Sequence, residues 1–154
     1  MSMVIYGIDP DSNKLGVSVY RSGVLCELLN MNVIELYIHL TTFEKEALST
    51  GALQFHIENP KGNSSSTFNH KPSDPVRVKY KKSEGVGMVK QAQNSVEQMA
   101  EVLNIPIKLY RNSSAWKKGS QAEMFKRITG WTGRSNEETR SAAYFGYLGS
   151  KLKN

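Results

Sequence analysis

Apolar and polar residues follow one another in blocks that switch between strand and helix spacing, and the order of those blocks predicts an α/β chain. Val4-Ile5-Tyr6-Gly7-Ile8 is an apolar run closed by Asp9 and Pro10, a strand that must stop there because proline cannot donate to a ladder. Residues 14–20 alternate as a returning strand, with Asp11-Ser12-Asn13 as the tight turn between them. A third strand over 24–29 is entered through Arg21-Ser22-Gly23. Asn32 and Glu35 form a capping-box signature, and Leu36, Leu40, Phe43 and Ala47 then recur at helical spacing up to Gly51, a helix of about four turns. Residues 52–58 alternate again, and Asn59-Pro60 ends that fourth strand.

Val89, Ala92, Val96, Met99 and Leu103 predict an amphipathic helix from about 85 to 104. Met88 and Ala100 widen its apolar face, enough for residues 86–103 to pack on their own sheet and on a second subunit. Residues 105–110 form a short fifth strand, which Pro106 assigns to an edge or to a first paired position. Ser120 with Glu123 opens a helix through Met124, Phe125 and Ile128 to Gly130, and the last helix starts at Ser135.

Two strands therefore deliver an acid immediately before a proline or with one residue between, Asp9 and Glu58, and as parallel neighbours they would bring both carboxylates to one end of the sheet. Taken singly, Asp9 suits a turn cap and Glu138, three residues after Ser135, suits a capping-box partner. Glu137 stands beside it, and the small residues Ser141, Ala142 and Ala143 let this helix lie close to a sheet. Together the three acids would suit a pair of magnesium ions about 4 Å apart, which activate a water and stabilise the leaving oxygen of a phosphodiester. Rival chemistry is lacking: His39, His56 and His70 are too scattered for a zinc motif, there is no Walker-type loop, and Cys26 has no base nearby in sequence.

At 154 residues the chain has the length of one domain, expected over 1–154. The single cysteine, Cys26, is expected to be buried and inert in a reducing cytoplasm, and neither a membrane span nor a signal-peptide pattern is present. The net charge of +6 favours a polyanionic partner. Much of it is local: Lys61, Lys71, Arg77, Lys79, Lys81 and Lys82 crowd a stretch in which Asp74 is the one acid. Residues 59–84 lack periodicity and are expected as a basic flexible loop, functional or disordered, whose charges suit either a solvated face or a polyanionic partner. Phe68 among those cations suits either an ordinary isolated surface ring or a base-stacking wedge or platform.

Gly7-Ile8-Asp9-Pro10, the strand end Ile57-Glu58, the Trp116-Lys117-Lys118 turn before a helix, and the terminal acidic helix running into Ser141-Ala142-Ala143 resemble RuvC-type Holliday junction resolvases, most closely the phage-encoded branch. That resemblance spans nearly the whole chain. It implies a ribonuclease H-like fold with a five-stranded mixed sheet whose first three strands are antiparallel. It also implies a homodimer, Mg2+ with Mn2+ as a substitute at two ions per site, and paired nicks in four-way DNA junctions within the host cytoplasm. Asp9, Glu58 and Glu138 match the first three acids of the family, and Lys117 and Lys118 match its phosphate-holding segment. The fourth acid is replaced by Ser141, whose hydroxyl still offers a metal ligand, with Glu137 as a possible substitute. Asp11 stands where the family has glycine, and Phe68 is placed only by position. The alternative is a catalytically weakened junction- or DNA-binding protein of the same fold. An actin-like kinase or ATPase fragment shares the Gly-Ile-Asp opening but needs two lobes and a second phosphate loop.

Overall fold

Five strands form among the described residues: β1 (Val4–Asp9), β2 (Leu15–Arg21), β3 (Val24–Met31), β4 (Leu53–Glu58) and β5 (Ile107–Tyr110). They belong to one sheet of order β3-β2-β1-β4-β5 in the computed structural model, which describes residues 3–11, 14–59 and 76–152. Helices α1 (Val33–Phe43), α2 (Lys45–Thr50), α3 (Val76–Val102), α4 (Ala122–Thr129) and α5 (Glu137–Ser150) flank it. The first three strands are antiparallel, β1 and β4 are parallel, and β5 adds parallel to β4 at the edge.

The central position of β1 explains its unbroken apolar run, since it is buried along its whole length. Val4, Tyr6 and Ile8 join a core with Leu36 and Leu40 of α1, Ala47 of α2, and Val96 and Ala100 of α3. Ile5, one residue out of phase, packs on the other face with Tyr20, Trp116, Phe125 and Ala143. Helix α5 lies over that second face, and Gly7 permits its approach. A Cβ on Gly7 would stand 2.1 Å from the Ala142 carbonyl oxygen and 2.5 Å from the Gly146 nitrogen.

Several local expectations are corrected. The helix from Asn32 to Gly51 is two helices, because Glu44 leaves helical geometry and buries its carboxylate under the Tyr6 hydroxyl and the Arg21 guanidinium. Phe43, expected in the core stripe, is consequently 71% exposed and lies against His39. Cys26 is exposed rather than buried: Tyr20 pairs Leu25 while Val19 pairs Glu27, so Cys26 is the extra residue of a bulge and points away from the core. Helix α3 begins at Val76, so residues 76–84 are helical rather than loop. As expected, its 89–103 stripe packs on this chain's own core, with Val96 and Ala100 fully buried.

Ser120 and Ser135 do not cap. Gln121 occupies the N-cap of α4, and its side-chain oxygen accepts from the Trp116 N–H. Asn136 caps α5 in a reciprocal pair with Thr139, so neither Glu137 nor Glu138 serves as the capping partner.

Candidate active site

The parallel pairing of Ile8 with Ile57 sets Asp9 and Glu58 side by side at the C-terminal ends of β1 and β4, on the face that α5 covers. Both carboxylates are buried, Asp9 being 4% and Glu58 8% exposed. Ser141, fully buried on α5, donates to Glu58 Oε2 at 3.4 Å. Lys117 Nζ stands 3.6 Å from Asp9 Oδ2. Glu138 reaches the cluster through its helix: its carbonyl packs on Gly16, the residue paired with Asp9, and its charge bears on both Asp9 and Lys117.

The fold thus brings together Asp9, Glu58, Glu138, Ser141 and Lys117. Glu137 and Lys118 are exposed, on the first residue of α5 and at the N-cap of the short 3-10 turn Gly119–Gln121. Arg77, Lys79, Lys81 and Lys82 fall on the opening turns of α3, whereas Lys61, Phe68 and Lys71 lie outside the described residues.

Burial dominates the electrostatics. It pushes the Asp9 carboxyl up to about 6, against the pull of the Lys117 ammonium and the Ser141 hydroxyl, with the Asp11 and Glu138 charges adding to the rise. Glu58 rises to about 7 by burial and by repulsion from Asp9, again opposed by Lys117 and Ser141. Lys117 is drawn down by burial but raised more by Asp9 and Glu58, so it stays charged.

Asp9 Oδ2 is buried with no hydrogen bond, its nearest charged neighbour being the Lys117 ammonium at 3.6 Å. A hard cation would satisfy such an oxygen, and two carboxylates with a hydroxyl form a donor set suited to magnesium or manganese rather than zinc. Among the described residues no three acids, histidines or cysteines are gathered closely enough to hold an ion by themselves. Magnesium does not require that, since it commonly binds through one or two carboxylates and keeps several waters.

Three supports of this site were not evident in the sequence. Trp116 is 4% exposed and wedged among Phe125, Tyr144 and Tyr147. Arg140 binds the carbonyls of Trp116 and Lys117. Gln93, fully buried on α3, donates to the Asn59 side chain at 2.8 Å and so ties down the residue after Glu58. A charged residue among the small ones at 139–143 was the available signal for Arg140.

The raised carboxyls carry a pH signature. Because the folded chain holds these protons more tightly than the unfolded chain, their stabilising contribution is full below the unfolded values and is lost as pH rises through about 6 and 7. His56 acts oppositely: burial and then Lys108 lower it to about 4, so its contribution is lost as pH falls. Comparison of variants separates the two. In EDTA, Asp9→Asn should match the parent near pH 4 and exceed it by about 1–3 kcal/mol at pH 8. Urea unfolding at both pH values measures this, and an Asp9→Asn protein less stable than the parent at pH 8 would contradict the assigned electrostatics.

No protein-family model matches the sequence, and no curated protein matches it. Among solved structures, T. thermophilus RuvC in complex with a Holliday junction substrate superposes with a TM-score of 0.58 at 16% identity, covering 96% of this chain and 93% of its own. A second Thermus thermophilus RuvC structure gives a TM-score of 0.54 at 16% identity, covering 96% and 94%. The chain therefore shares its fold with RuvC, and the mixed sheet with three antiparallel leading strands is of the ribonuclease H-like type.

Proposed function

We propose that the chain is a structure-specific endonuclease that nicks four-way and related branched DNA with the help of a divalent metal. The observation that carries this reading is the buried Asp9–Glu58 pair on adjacent parallel strand ends, with Lys117 beside it, in a fold shared with a protein solved on a Holliday junction. Asp9 and Glu58 would hold the metal, with Ser141 and Glu138 at its flank. When bound, magnesium or manganese supplies activation of the attacking water and neutralisation of charge on the phosphodiester.

The chain's own residues do the rest. Burial disfavours two adjacent carboxylate charges with a single ammonium beside them, so a divalent cation would be favoured there. Lys117 holds a positive charge where a scissile phosphate would approach Asp9. The basic residues 61–82 supply affinity and register through phosphate contacts, which carry little base information and so suit recognition of shape. Two copies of the chain would set two such sites at a fixed separation, as paired nicks require.

Incubating the purified protein with a labelled four-way junction and Mg2+ or Mn2+ tests the reading. Nicks at symmetric positions, absent from linear duplex of the same sequence and abolished by EDTA, are expected. Ser141 in place of an acid favours a second reading, a binding protein with a weakened site. Tight junction binding without cutting in either metal would select it.

A further inference from the structure

Arg140 is a buried cation, 7% exposed, that lies between Glu138 and Ser141 in the sequence of α5 and forms no ion pair with an acid among the described residues. Its donors go elsewhere: Nε to the Trp116 carbonyl at 2.9 Å, Nη2 to the Lys117 carbonyl at 2.7 Å, and Nη1 to the Ser135 hydroxyl at 3.0 Å. Its fork thus grips two consecutive peptide carbonyls of the turn that carries the Lys117 side chain. The same turn holds Trp116 at φ +65°, a left-handed backbone that costs a residue with a Cβ about 1–2 kcal/mol. That conformation persists because it is constrained on every side. The ring is packed among three aromatics, the N–H donates to Gln121, and the carbonyl accepts from Arg140.

We propose that Arg140 is a positioning residue that holds the Lys117 ammonium over the Asp9–Glu58 pair; the catalytic part of this inference rests on the cleavage reading above. The linkage is mechanical. Helix α5 is seated on the sheet beside Asp9 through Gly7 and Gly16, so a guanidinium fixed in α5 transfers the position of that helix to the turn opposite. Lysine is a poor replacement, because its three donors radiate from one nitrogen and do not reach acceptors that the guanidinium meets from three.

Reductive methylation of the lysines in EDTA, mapped by peptide mass spectrometry, reads the position of Lys117 without any cleavage. In the parent, half-buried Lys117 should react several-fold more slowly than exposed Lys118, about fivefold or more for a partly desolvated, paired amine. In Arg140→Lys the two rates should converge, and kcat for junction nicking should fall by about 10–100-fold with KM within about threefold, as for a misplaced group. In a Lys117→Met background, Arg140→Lys should lower kcat no further. Ser135→Ala, which removes one of the three partners, should give the same changes in smaller degree and guards against an unfolded Arg140→Lys. Unchanged Lys117 protection in folded variants, or an equal loss of kcat in both backgrounds, would overturn the inference. A parent that does not nick, with Lys117 protection that is present in it and lost in Arg140→Lys, would sink the cleavage reading while leaving the hold on Lys117 established.

Discussion

Replacing Glu58 with glutamine should leave four-way junction binding within about twofold of the parent while lowering the nicking rate by about 10³-fold or more, roughly 4 kcal/mol of barrier. The substitution keeps the shape of the side chain and its contact with Ser141 but removes the charge that, with Asp9, would attract the cation. Binding is expected to survive because phosphate contacts from lysine and arginine supply most of it. Electrophoretic mobility shift and single-turnover nicking on one junction separate the two effects. Nicking within tenfold of the parent would remove Glu58 from the chemistry, and loss of binding together with folding would show a structural residue instead.

Gly7→Ala should cost about 3 kcal/mol or more of stability, because what the new methyl group meets is backbone. Ala142 O and Gly146 N would lie 2.1 and 2.5 Å from it, and neither can move without lifting α5 from β1. The expected result by urea denaturation is a midpoint far below the parent's, or a protein that does not fold. In any surviving fraction nicking should be lost too, since α5 carries Glu138 and Ser141 to the site. A variant within about 1 kcal/mol of the parent would mean that the helix does not sit this close.

How far the sequence foretold this arrangement depends on how local the cause was. Asp9 and Glu58 were legible because a proline follows each strand end and the apolar runs leave little choice of register. The Asn32–Glu35 cap was legible because its partners are three residues apart. Failures cluster where a distant partner decides. Glu44 breaks its helix to meet Tyr6 and Arg21, 38 and 23 residues away. Ser135 does not cap its helix because its hydroxyl accepts from Arg140 and Asn136 takes that position. The grip of Arg140 on residues 116 and 117 spans more than twenty positions, and no periodicity records it. In Cys26 the error was one of phase, since a single bulge turns an apolar run outward.

Two carboxylates from separate strands and the flank of a distant helix would form one cation site. Anomalous diffraction from crystals soaked in Mn2+ tests it most directly. A peak is expected within about 2.5 Å of both the Asp9 and Glu58 carboxylates, on the side facing Ser141. A soaked crystal with no peak there, or with manganese bound only elsewhere on the chain, would contradict it.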